Sequence, residues 1–269
     1  DVYLTITGIQ CYPQPQGFNL AKKNIQRAIE LDPDLAEVHF TLGRIYRYEW
    51  KWEEARKELE IAMKLNPQNA DFCNNYAQLM YYFRNYEAYK FYTIKAAELN
   101  PVSSKLILSK AYMYREEGNF EKALEDYNRY IEINPDVYSG YYNLWELYRK
   151  TGEDSTAVKM LQKAYSLLPS DRIFSESIPS VFKEKGLKGV EQTEYEYMIQ
   201  SDLKGSWRGL ARYCVETGDK EKALYWIEKA WEWDVPNLPC INGDRGFDPI
   251  RNEPRFQAVI NKMGLTKYQ

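Results

Sequence analysis

Five prolines stand at a constant interval. Pro33, Pro67, Pro101, Pro135 and Pro169 are each 34 residues apart, and each closes a similar phrase: ELDP, KLNP, ELNP, EINP and SLLP. A chain that repeats itself at such a period stacks one supersecondary unit on the next, because each unit alone buries too little. With each proline as position 32 of a unit, further columns align. Position 20 holds Ala21, Ala55, Tyr89, Ala123 and Ala157, and position 27 holds Ala28, Ala62, Ala96, Tyr130 and Ala164. Position 24 holds Ile25, Leu59, Thr93, Tyr127 and Leu161, and position 8 holds Gly43, Ala77, Ala111 and Trp145. Apolar spacings of three and four predict two amphipathic helices per unit. Small residues at 8, 20 and 27 let the pair approach closely, and the proline stops the second helix.

These columns resemble the tetratricopeptide repeat, a helix–turn–helix unit. The resemblance implies an all-α fold, a right-handed α-solenoid of about seven helix hairpins. The first hairpin and the fifth repeat (about 171–202) are expected to be degenerate, with a turn at Gly186 and a kink at Pro179. Upstream, Asn19–Leu31 reads as a second helix whose partner would be Val2–Cys11, with Pro13, Pro15 and Gly17 between them. Downstream, Trp207, Leu210, Ala211, Cys214, Gly218, Ala223, Ile227 and Ala230 restore the columns. Within the columns, Lys110 is expected to snorkel, and Tyr130 and Trp145 need extra room. Trp52, Tyr86 and Phe120 share position 17, where an aromatic can clamp the turn.

Residues 1–235 read as the superhelix and 236–269 as an irregular tail of the same domain. In that tail Pro254 opens a last helix with Phe256, Val259, Ile260 and Met263 on one face, and Gly264 stops it. Such a helix caps the end of an array, with Phe247 and Ile250 anchoring its loop. The stretches 49–67 and 247–265 resemble the repeat arrays of bacterial multidomain regulators: winged-helix transcription regulators, class III adenylate cyclases and serine/threonine kinases. That resemblance implies a sensor or interaction module. The chain opens on Asp1 with no signal peptide, so it reads as a fragment or processed product. The expected location is the cytoplasm, or the periplasm in a membrane-anchored regulator.

Composition removes several function classes. Lys+Arg is 36 and Asp+Glu is 39, a net charge of −3, which offers no footprint for nucleic acid. No apolar run is long enough to enter a bilayer. The chain has one histidine against 24 tyrosines, so most acid–base and zinc chemistry would have to converge on His39, which falls in a packing column. No nucleophile, phosphate-binding or metal motif occurs, so no enzyme activity, metal or cofactor is expected. Cys11, Cys73, Cys214 and Cys240 form no CxxC pair and read as reduced thiols.

The resemblance places the binding groove on the first helix of each unit, at positions 2, 5, 6, 9, 12 and 13. The candidates are Phe40, Arg44, Arg47 and Tyr48 in the first repeat, and Asn74, Asn75, Gln78, Tyr81 and Tyr82 in the second. The third repeat gives Lys105, Tyr112 and Arg115, the fourth gives Tyr142, Asn143 and Arg149, and the sixth gives Arg208 and Arg212. Tyrosine and arginine supply apolar area with a polar handle and are enriched at binding hot spots. Asn75 and Asn143 are expected to bond an extended peptide backbone. The expected partner is a protein or peptide with acidic and aromatic residues. A sugar or aromatic metabolite, or self-association, is the alternative. The carboxylate clamp of chaperone adaptors is matched only at Asn75 and Lys105.

Overall fold

Small residues recur in the columns where two helices must touch, and there the helices do close on one another. The computed structural model describes residues 14–201 and 203–268. Within them every regular element is helical: α1 (Gln14–Leu31), α2 (Ala36–Tyr48), α3 (Trp52–Leu65), α4 (Ala70–Tyr82), α5 (Tyr86–Leu99), α6 (Ser104–Glu116), α7 (Phe120–Ile133), α8 (Tyr138–Thr151), α9 (Asp154–Ser166), α10 (Arg172–Gln200), α11 (Leu203–Glu216), α12 (Lys220–Glu232), the short α13 (Cys240–Gly243) and α14 (Pro254–Lys262). From α2 to α12 they follow in consecutive hairpins, so the fold class is the expected all-α array. The expected helix Val2–Cys11, with Cys11 and Pro13, lies outside the described residues. Pro15 and Gly17 are not in a turn. They belong to the first turn of α1, where proline's missing N–H leaves no bond unmade.

The chain divides into two compact units, one running to Asn100 and including the residues from Met263, the other Pro101–Lys262. In the first unit Ala55, Leu59, Ala62 and Ala96 are fully buried. Gly43 shows why position 8 is small, since a Cβ there would sit 2.8 Å from Leu59 Cγ and 3.2 Å from its backbone nitrogen. The one histidine is a packing and bonding residue: His39 Nδ1 lies 2.6 Å from Glu58 Oε2 and Nε2 lies 2.9 Å from the Pro33 carbonyl. Burial lowers its pKa, but the Glu58 and Pro33 bonds outweigh burial and leave it raised. Trp52 does more than clamp its turn. Its Nε1 donates to the Met263 carbonyl (2.6 Å), while Phe83 stacks on Tyr268 at 3.7 Å and Glu53 takes Lys267 and Tyr268.

In the second unit Ala111, Ala123, Ala157, Ala164, Ala211, Ala223 and Ala230 are all fully buried. The bulky exceptions are accommodated locally. Tyr130 fits because Gly140 opposes it, where a Cβ would come within 3.2 Å of the ring. Trp145 is buried in a cluster with Leu161, Phe174, Ile178 and Val190. Lys110 reaches Asp126 at 3.1 Å. Helix α10 is broken at Gly186 (φ 67°, ψ −169°), so the degenerate repeat is still a hairpin. Pro179 lies inside its first arm, where the backbone angles stay helical. The tail behaves as expected: Phe247, Ile250, Phe256, Val259, Ile260 and Met263 are buried, and Gly264 has a positive φ. Arg255 ties α14 to α12 through Glu228 and Glu221. Cys73, Cys214 and Cys240 are buried free thiols.

Candidate binding cavity

The groove columns have different fates in the two units. In the first unit they close on themselves. Phe40 stacks on Phe72 at 4.5 Å, with Arg44 over the Phe40 ring. Arg47 donates to Gln78 Oε1 at 2.6 Å and lies over Tyr48, which is partly exposed. Asn74 is buried, its amide nitrogen without a partner, and Tyr81 packs on Tyr89 and Tyr82. Tyr82 meets Trp52 edge-on.

In the second unit the same columns surround a cavity of about 320 Å³. Seven candidates line it: Tyr112 and Arg115 from α6, Tyr142, Asn143 and Arg149 from α8, and Arg208 and Arg212 from α11. Lys105 is exposed and outside it. The remaining walls were not legible from the columns. Glu191, Glu194 and Met198 come from the second arm of α10, Tyr165 from α9, and Tyr138, Trp145 and Glu146 from α8. Glu191, Glu194 and Met198 are spaced three and four apart, which marks one helical face. The degenerate repeat hid the register needed to aim that face.

The arginines are not free cations. Arg149 meets Glu191 at 2.9 Å, Glu216 at 2.8 Å and Glu146 at 3.2 Å. Asp244, fully buried in the tail loop, accepts from Arg208 at 2.6 Å and Arg212 at 2.8 Å. Gly246 lets the Arg212 guanidinium lie against the backbone, since a Cβ there would stand 2.4 Å from its Cζ. Arg115 pairs with Glu116 at 3.4 Å. The expectation that arginine charge selects an acidic partner is therefore corrected: these carboxylates already neutralise most of it. The asparagine amides are also engaged internally. Asn75 donates to the Asp71 carbonyl, and Asn143 donates to the Ser139 carbonyl and to Tyr112 Oη.

Two carboxyls on the wall differ sharply. Burial would raise Glu146, but Arg149, Arg212 and Arg115 outweigh it and hold its pKa below the usual value. Glu194, 5% exposed, is pushed up to about 8 by burial and by the Glu146 charge. Tyr165 Oη donates to Glu194 Oε1 at 3.3 Å. Around it Tyr138 stacks on Tyr142 at 5.2 Å and meets Tyr165 edge-on at 5.4 Å. Three donors in the wall, Trp145 Nε1, Arg149 Nε and Arg212 Nε, are buried without a hydrogen-bond acceptor. Among the described residues no cluster of His, Cys, Asp and Glu is arranged to hold a metal ion, and no helix is long and apolar enough to cross a membrane.

Comparison with known proteins agrees with the repeat. Tetratricopeptide repeat models match residues 36–69 and 105–137. The chain is 26% identical over 194 residues to tetratricopeptide repeat-containing protein trd-1 of Caenorhabditis elegans, covering 72% of this chain and 23% of that protein. It is 22% identical over 212 residues to anaphase-promoting complex subunit 3 of Schizosaccharomyces pombe, covering 78% of this chain and 31% of that one. The chain thus spans less than a third of either relative. Among solved structures, PilF of Pseudomonas aeruginosa superposes with a TM-score of 0.53 at 20% identity, over 73% of this chain and 96% of that one. MamA superposes at 0.51 and 20% identity, over 67% and 97%. YrrB, described as a TPR protein with an unusual peptide-binding site, superposes at 0.50 and 20% identity, over 66% and 88%. Two matched segments and the hairpin fold establish that this chain carries tetratricopeptide repeats.

Proposed function

We propose that the chain is a non-catalytic interaction module whose second unit binds a segment of a partner protein in the α6–α8–α10–α11 cavity. The observation that carries this reading is convergence. Seven residues chosen from three separate repeats meet around one cavity. Tetratricopeptide repeats mediate protein–protein contacts, and the description of YrrB names a peptide site. The likeness of 49–67 and 247–265 to regulator arrays supports placing the module in a regulator.

The test is a peptide-display selection on the whole chain, followed by fluorescence anisotropy of the selected peptides. Ser206 lines the cavity and makes none of its ion pairs, so Ser206→Phe fills the space without disturbing them. A loss of tenfold or more in affinity is expected. Unchanged affinity overturns the assignment. The volume also favours a second reading, a small-metabolite sensor, because it falls at the small end of ligand cavities (about 300–1,000 Å³). A metabolite that raises the melting temperature of the wild type but not of Ser206→Phe would select that reading.

A further inference from the structure

In the cavity wall each arginine already has a carboxylate, whereas Glu194 stands with Tyr138, Tyr142 and Tyr165 and no cation of its own. Arg149, the nearest, is held by Glu146, Glu191 and Glu216, and among the described residues no cation pairs with Glu194. A carboxylate in an enclosed site is costly as an anion without a counterion. Tyr165 and Tyr142 present their hydroxyls to Glu194, and these oxygens can accept from an ammonium or guanidinium beside it.

From these observations, and resting on the groove reading above, we propose that the cavity takes a basic residue of the partner segment. The ammonium or guanidinium sits among Tyr138, Tyr142 and Tyr165 with Glu194 as its counterion. This reverses the preference for an acidic partner that arginine counting suggests.

Glu194 is largely protonated at neutral pH, so capture of a cation beside it releases that proton. The groups acting on Glu194 are Tyr142, Glu146 and Arg149 from α8 and Tyr165 from α9; Tyr138, Glu191 on its own helix, and Arg208 and Arg212 from α11 line the same cavity. Glu146 and Arg149 remain charged across pH 6–9: burial disfavours the Arg149 cation, but the Glu146 and Glu216 charges outweigh it, and the arginines around Glu146 hold it low. Affinity therefore rises with pH, by up to tenfold per unit below about 8, and levels off above it. A lysine ligand keeps its charge throughout, since it titrates near ~10.4.

The experiment uses fluorescein-labelled Ser-Gly-Lys-Gly-Ser, its versions with arginine, norleucine or glutamate at the centre, and free lysine as competitor. Binding to the whole chain is read by anisotropy at pH 6, 7, 8 and 9. The lysine and arginine peptides are expected to bind at least tenfold more tightly than the others at pH 8. Glu194→Gln, close to isosteric and checked by its melting curve, is expected to remove both the preference and the pH dependence. Equal binding of the norleucine or glutamate peptide overturns the proposal. Free lysine competing more strongly than the lysine peptide overturns the peptide as the source of the cation. Peptides from the display selection separate this inference from the reading beneath it. If they lose binding with Ser206→Phe but not with Glu194→Gln, the groove stands and the cation assignment falls. If neither variant changes binding, the groove itself falls.

Discussion

The two units carry the same columns to different ends. In the first, several groove residues pair with near neighbours: Phe40 with Phe72, Arg47 with Gln78, and Tyr81 with Tyr89. Each contact is local and largely neutral, and together they close the surface. In the second, the groove residues are mostly charged or phenolic, and the degenerate α10 hairpin faces them with Glu191 and Glu194. Arginine–carboxylate pairs tie these walls together around the cavity. The same columns thus meet different surroundings in each unit, and in the second they line a cavity.

The comparison predicts unequal costs for equivalent changes. Arg149 and Arg47 occupy the same column. Arg149→Met strands three carboxylates and is expected to cost about 3–5 kcal/mol, the scale of breaking a buried ion pair. Arg47→Met loses one hydrogen bond to a neutral partner, about 1 kcal/mol. Urea denaturation of both variants checks the ratio, and equal costs would erase the distinction between the units.

Glu194→Gln probes the same contrast through pH. The folded state holds this carboxyl near pKa 8, above its unfolded value of 4.5. Its favourable contribution is therefore intact below about pH 4.5 and is lost as pH rises through 8. Glutamine is expected to leave stability nearly unchanged at pH 5 and to raise it by about 2 kcal/mol at pH 9. A thermal melt at each pH reads the sign.

A smaller effect belongs to the first unit. Trp52→Phe removes the N–H that meets the Met263 carbonyl and is expected to cost about 1–2 kcal/mol. Hydrogen exchange in residues 264–268 should rise more than in α4. Uniform exchange would show that Trp52 only packs.

The smallest effect sharpens the turn column. Gly118, Gly152 and Gly218 have φ of 77–81° at position 15, and the first unit places Trp50 and Arg84 there at φ 57°. Gly152→Ala is expected to cost about 1 kcal/mol. Arg84→Gly relieves a like strain but gives up the stacking of the guanidinium on Tyr86, so the net change should fall within about 0.5 kcal/mol.

The fold was legible because the repeat is long and its packing columns hold alanine, which only a close helix pair explains. The tail was legible for a similar reason, since Phe256, Val259, Ile260 and Met263 leave one face to bury. The site was half legible. Positions 5, 9 and 12 of three repeats aim into the cavity, and a helix's geometry sets that direction. Glu194 and Glu191 escaped because a repeat without its columns has no register to count from. Asp244 escaped because an irregular loop's path cannot be read from periodicity. The arginines were found, but their neutralisation was not: that depends on partners 32 to 67 residues away in sequence, from Glu216 to Asp244. The first unit's candidates share the columns yet line no part of the cavity, since column position sets direction and not what lies opposite.

The central claim is that the second unit, not the first, receives the partner segment. Amide hydrogen exchange of the whole chain, with and without a display-selected peptide at saturating concentration, tests it most directly. Protection is predicted in α6, α8, the second arm of α10 and α11, with α2 and α4 unchanged. Protection confined to α2 and α4 would contradict the account.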